Sequence, residues 1–200
     1  DNNDSRDVFV KDLVSGEVMR VSVDGKSGEV NGDSYAPVFS PDGTKIAFTS
    51  LAANLVDNDS NGVGDIFIKD LVTNEVIRIS TNSKAEELNA SSESLVFSPD
   101  GKKVAFISAA TNAVDNDTNF SVDIFVKDLD SDELIRISTT SSGLEANASS
   151  YAPMFSPDGS KILFQSYAYN LVSNDGNDAS DIFIKDLASG DVTLVSQSTT

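Results

Sequence analysis

The chain repeats itself every 58 residues, and no other feature narrows its possible folds as much. The string Asp7-Val-Phe-Val-Lys-Asp-Leu13 returns at Asp65, Asp123 and Asp181, and Phe39-Ser-Pro-Asp-Gly43 returns at Phe97 and Phe155. The 200 residues therefore hold about three and a half units, beginning inside one. A period of this length is one supersecondary unit that buries its apolar faces only against its neighbours.

Each unit carries four short segments rich in Val, Ile and Phe, which read as strands a to d. In one unit they are 94–98, 103–108, 123–129 and 133–138. Segment c has the unbroken apolar centre Ile124-Phe125-Val126, the pattern of a strand covered on both faces. Segment d alternates, with Ile135 and Ile137 opposite Leu134 and Arg136, as in a strand nearer an outer edge. Ser98-Pro99-Asp100-Gly101 makes a tight a–b turn, Pro presetting φ and Gly taking the positive φ. Gly16, Asn74, Asp132 and Gly190 share one position of the c–d link, and these residue types tolerate a left-handed backbone. Four antiparallel strands per unit, with both sheet faces to cover, is the arithmetic of a β-propeller. A stacked β-solenoid, the main competitor, usually repeats every one or two strands.

The pattern F-S-P-D-G-x-K-[IV]-[AL]-F followed by D-[IV]-F-[IV]-K-D-L resembles the propeller repeat of the TolB family, and it covers essentially the whole chain. That resemblance implies blades whose strands run from a at the central channel to d outside. The expected architecture is one all-β propeller segment over 1–200, with a half blade at 1–34 and blades at about 35–92, 93–150 and 151–200. Its ends do not complement one another, so it is expected to belong to a longer propeller or to associate with other copies through open blade edges. Phe39, Phe97, Phe155, Phe48, Phe106 and Phe164 are expected in the inter-blade core. Lys11-Asp12 and its copies read as solvated strand ends, and Arg20, Arg78 and Arg136 as exposed ion pairs or snorkelling stems.

Composition closes off other functions. The chain has no Cys or His, which removes zinc fingers, thiol nucleophiles, Ser-His-Asp triads and the usual haem or iron–sulfur ligation. With 14 basic against 32 acidic residues the net charge is -18, unsuited to a phosphate backbone. No apolar run approaches the ~20 residues needed to span a bilayer.

The chemistry-bearing segments are the b–c links. The first runs Asp57-Asn58-Asp59-Ser60-Asn61-Gly62-Val63-Gly64-Asp65, and its copies span 115–123 and 173–181. Oxygen side chains recur at positions 1, 3, 5 and 9: Asp57, Asp59, Asn61 and Asp65; Asp115, Asp117, Asn119 and Asp123; Ser173, Asp175, Asn177 and Asp181. An N-terminal remnant keeps Asp1, Asn3 and Asp7. Alternate oxygens on a tightly turning loop converge, and Ca²⁺ takes about six to eight oxygens at about 2.3–2.6 Å. These residues are therefore read as calcium ligands, Ser173 weakening the third site. Ordinary turn chemistry competes, since Asn, Asp and Gly dominate turns. The spacing resembles the calcium loops of integrin-type propellers and, at its start, an EF-hand loop, although position 12 is Ile68 rather than Glu.

Asn31–Ser34, Asn89–Ser92 and Asn147–Ser150, just before strand a, would emerge on the same face, with Tyr35 and Tyr151 nearby. Loop ordering is the favoured reading, and a carbohydrate-binding rim the alternative. Asn89 and Asn147 also match the N-x-Ser sequon, and Tyr167 and Tyr169 have no counterparts in the other copies. The resulting expectation is a non-enzymatic, calcium-stabilised propeller module with a structural, self-assembly or protein-interaction role, acting outside the cell, at its surface or in the periplasm. Its alternatives are a calcium-dependent lectin-like module and the non-catalytic propeller of a larger hydrolase.

Overall fold

Short apolar strands punctuated by Asp- and Gly-bearing turns build antiparallel sheets in the computed structural model, which describes residues 2–26, 28–177 and 179–196. β1 (Phe9–Lys11) and β2 (Val18–Arg20) pair alone. β3 (Ser34–Phe39), β4 (Lys45–Ser50), β5 (Asp65–Asp70) and β6 (Val76–Arg78) form a four-stranded sheet in that order. β7 (Ser92–Phe97), β8 (Lys103–Ser108), β9 (Asp123–Asp128) and β10 (Leu134–Arg136) form the next. β11 (Ser150–Phe155), β12 (Lys161–Ser166), β13 (Asp181–Asp186) and β14 (Val192–Leu194) form the last. These are propeller blades, about three and a half of them. No helix among the described residues is long and apolar enough to cross a membrane.

The turns follow from their residues. Gly43, Gly101 and Gly159 close the a–b hairpins at φ 71°, 71° and 72°, and Gly16, Asn74, Asp132 and Gly190 all have positive φ in the c–d link. In the a–b turn the Asp42 carboxylate accepts bonds from the Ser40 hydroxyl and from the amide and hydroxyl of Thr44. These bonds hold its pKa down at about 2. Each a strand also bulges after its second residue, where Ala36, Ser94 and Ala152 take φ of 51°, 54° and 52°. A bulge inserts a residue and re-aims the side chain beside it.

The core lies between blades. Strand c buries both faces, as its unbroken apolar run requires: Ile66 and Ile68 pack toward the following blade, and Phe67 toward the preceding strands. Cross-strand pairs Phe48–Phe67, Phe106–Phe125 and Phe164–Phe183, with centroids 6.0, 6.0 and 5.8 Å apart, form the centre of each sheet. Phe97 and Phe155 are buried as expected, but Phe39 is 54% exposed. Only β1 and β2 precede its blade, so the inner strands that would cover Phe39 are not among its neighbours.

Two further expectations are corrected. On strand d the expected alternation breaks at its end: Leu134 and Ile137 are both buried and Arg136 half-buried, while Ile135 stands out in solvent. Lys11 is solvated as expected, but the later strand-c lysines are not. Lys69, Lys127 and Lys185 are buried, and Lys127 Nζ crosses to the preceding blade, donating to the carbonyl and hydroxyl of Thr81 at 3.2 and 3.1 Å. Lys185 repeats this contact on Thr139. A long apolar stem carries the ammonium through the core to buried acceptors.

Phe120 is a local cost. It sits at φ 53°, where the equivalent Gly62 has φ 67°, and its ring is 84% exposed. A left-handed backbone disfavours a β-carbon by about 1–2 kcal/mol. Phe120→Gly is therefore expected to raise stability by about 1 kcal/mol in urea unfolding, where an interior helix or strand position would lose it.

Candidate functional site

The acidic loops do converge, and a guanidinium stands at the point of convergence. Arg78 Nη1, on β6, lies 3.3 Å from Asp59 Oδ1, 3.6 Å from Asp65 Oδ2 and 3.0 Å from Glu87 Oε2. Arg136 repeats the arrangement with Asp117 at 3.4 Å, Asp123 at 3.4 Å and Glu145 at 2.9 Å. Arg20 pairs with Asp7 at 3.2 Å and Glu29 at 3.3 Å. The Arg78 and Arg136 side chains are only 10% and 9% exposed, so these are buried clusters and not the surface pairs expected from strand d.

Other bonds fix each carboxylate. Asp65 Oδ1 accepts from the Ser80 hydroxyl and Asp123 Oδ1 from Ser138, while Asn61 and Asn119 donate their amides to the other oxygen at 3.0 Å. Those same amides also reach the carbonyls of Leu88 and Ala146 in the next d–a link. Glu87 accepts from both the hydroxyl and amide of Ser60, and Glu145 does so from Thr118. Arg78 Nη2 closes the loop on the Asn58 carbonyl. Each cluster thus ties a b–c loop, strand d and the following d–a link into one body.

The electrostatics are uneven. Burial first, and then the neighbouring carboxylates, push Asp59 up against the pull of Arg78, and burial likewise dominates at Asp65. Asp117 and Asp123 behave in the same way. Bonds from Ser60, with Arg78 assisting, hold Glu87 below its ordinary range.

In the loops at 57–65 and 115–123 the inward acids face a guanidinium. Asp57 and Asp115 point into solvent. Asn61 and Asn119 turn their amide nitrogens toward the carboxylate, and their oxygens accept from the amides of Val63 and Ser121. The remaining acids face the guanidinium. Among the described residues no group of three or more acidic side chains is placed to hold a metal. Of the N-terminal set, Asn3 and Asp7 share a bond at 3.4 Å, and Asp1 lies outside the described residues.

The fourth loop differs. Leu194 stands where the other copies have arginine. Asp181 Oδ1 accepts from Ser196 at 2.5 Å, but its Oδ2 is buried with no partner among the described residues. Ser173 and Asn177 are exposed and Asp175 half-buried. Asn177 accepts from the amide of Ala179.

The Asn clusters before strand a order loops. Asn31 Oδ1 accepts from the amide of Ala53, Asn89 bonds both the amide and hydroxyl of Thr111, and the amide of Asn147 donates to Asn170. Sequence reasoning missed Glu29, Glu87 and Glu145 and the serines at 22, 80, 138 and 196. Their signal was the same 58-residue recurrence that exposed the loop aspartates.

With this geometry in hand, likeness to solved structures settles the architecture. A protein described as TolB from Agrobacterium tumefaciens superposes with a TM-score of 0.52 over 94% of this chain and 59% of its own, at 18% identity. The β-propeller domain of the Trilobed protease from Pyrococcus furiosus does so with a TM-score of 0.50 over 81% and 41%, at 23% identity. An oligogalacturonate lyase in complex with manganese gives 0.54 over 95% and 42%, at 17% identity. This is a TolB-like propeller fold. The chain spans less than two thirds of each of these proteins. No protein-family model and no curated relative matches it.

Proposed function

We propose that the chain is a non-catalytic propeller module that presents a rigid loop face to other proteins, outside the cytoplasm as the TolB-type resemblance implies. One observation carries this reading: the acids of loops 57–65 and 115–123 that reach inward are spent on Arg78 and Arg136, ordering the face rather than awaiting a substrate. General acid–base work needs carboxylates facing a reacting atom. The protease propeller among the similar structures supports a related possibility, that the module accompanies a hydrolase. Asp117→Asn distinguishes these roles from catalysis. It should leave any partner binding intact, whereas loss of turnover on a peptide or glycoside with the fold retained would contradict the proposal.

A second reading, calcium binding, is favoured at the last loop alone, where Asp181 keeps an unpartnered buried oxygen and Leu194 replaces the arginine. There Asp181 and Asp175 would hold the ion, with Asn177 and Ser173 turned inward. An ion bound only by the folded chain raises its thermal midpoint. Melts in millimolar calcium and in chelator test it. The expected rise disappears in Asp181→Asn and persists in Asp59→Asn; equal midpoints in the unsubstituted chain would end this reading.

A further inference from the structure

The three complete blades differ at one place on the inner rim. The second residue of strand a is Tyr35, Glu93 and Tyr151 in turn, and the residue after strand b is Leu51, Ala109 and Tyr167. In the β3–β6 blade the Tyr35 hydroxyl, the Thr49 methyl and Leu51 gather over Gly64, each 3.6 Å from where a β-carbon would sit. In the β11–β14 blade Tyr151 meets Tyr167 edge-on, with centroids 6.4 Å apart, while Gln165 donates to Ser180 beside them. Both flanking blades therefore fill this position with a tyrosine ring. In the middle blade the ring is missing, and a cavity of 240 Å³ opens, lined by Ser91, Glu93, Ile107, Ser108, Ala109 and Val122.

We infer that this opening is a socket for a lysine or arginine side chain of a partner protein, with Glu93 as its counter-charge. This names a partner chemistry for the interaction role proposed above, and rests on it. Ile107, Ala109 and Val122 offer apolar wall for the methylene stem, which long basic side chains bury while keeping the head polar. The Glu93 carboxylate makes no hydrogen bond or ion pair among the described residues, unlike the cluster acids, so its charge is free to meet an incoming cation. Tyr35 of the adjacent blade lies close enough that the Glu93 carboxylate, after burial, helps to push its phenol up. A carboxylate at the mouth of an apolar wall is a favourable surround for a guanidinium or ammonium. The excess of acids over bases, 32 to 14, draws basic partners toward this surface. One carboxylate is too few for calcium, which needs about six to eight oxygens.

The test uses the full chain and two probes, a short capped peptide with a central arginine and its glutamine counterpart, followed by amide chemical shifts. Expected are shifts at Ala109 and Val122 with the arginine peptide alone, weakened by salt. Glu93→Gln should weaken binding about tenfold or more, as for loss of a charged hydrogen bond. Glu93→Tyr restores the residue of the flanking blades, so it should fold and melt no lower than the parent while losing the site altogether. Equal binding of both peptides, or arginine binding unchanged in both variants, would overturn the socket. If such unchanged binding maps to another part of the loop face, the interaction role survives; if neither peptide binds anywhere, the socket falls and only that role's cationic partner falls with it.

Discussion

Arg78→Met will destabilise the fold by about 3–5 kcal/mol, because it leaves Asp59, Asp65 and Glu87 facing one another in a buried site without their cation. Methionine keeps most of the apolar stem, so the loss is electrostatic and not the creation of a cavity. Asp59 and Asp65 are already pushed up by burial, and losing the guanidinium raises them further. A carboxyl raised in the folded state stabilises that state when protonated, and its contribution is lost as the pH rises through the folded value. The deficit of the variant against the parent should therefore shrink as the pH falls from neutral into the carboxylate range. The turn acids Asp70, Asp128 and Asp186, which their bonds hold well below the usual range, titrate alike in both proteins and cancel from the difference. Urea unfolding at several pH values measures it. The last blade supplies a control: with Leu194 in place of arginine and an unpartnered oxygen on Asp181, Asp181→Asn should cost much less than Asp123→Asn.

The strand-c lysines should show the second large effect. Lys127 is 1% exposed, and its ammonium donates to the carbonyl and hydroxyl of Thr81 and to the carbonyl of Asp132, pairing also with the Asp132 carboxylate at 2.6 Å. It is a buried polar staple between two blades that otherwise share an apolar core and the loop-level bonds of Ser83, Asn82 and Asn89. Lys127→Met keeps the stem and removes every donor, leaving the Thr81 carbonyl buried and unpaired, at a cost of about 3 kcal/mol. Lys11→Met provides the comparison, because Lys11 is exposed and should change stability by less than about 0.5 kcal/mol. Equal effects at the two positions would show that the staple carries no weight.

The strands and turns were legible because each depends on local chemistry that recurs. Apolar runs such as Ile124-Phe125-Val126 and the Ser-Pro-Asp-Gly hairpins specify their own backbone, and three repetitions remove the ambiguity of one. The loop chemistry was half legible. Oxygens at positions 1, 3, 5 and 9 announce that positive charge gathers there, but the pattern does not say which cation supplies it. The answer lay on strand d, where Arg78 alternates with Ile77 like any solvated residue, and in Glu87, which the chain brings back only in the next link. A recurrence shows that residues belong to one unit and not which of them touch. Lys127 was misread for the same reason: a charged strand end looks solvated until a neighbouring blade closes over it. The socket at Glu93 is the reverse case, visible only where the repeat departs from itself.

The most direct measurement is a crystal structure grown in calcium-rich solution, with an anomalous difference map over the loops at 57–65 and 115–123. The arrangement described here predicts Arg78 and Arg136 each bonded to three carboxylates, with no anomalous peak between them. A calcium peak among Asp59, Asn61 and Asp65, with Arg78 turned out to solvent, would contradict it.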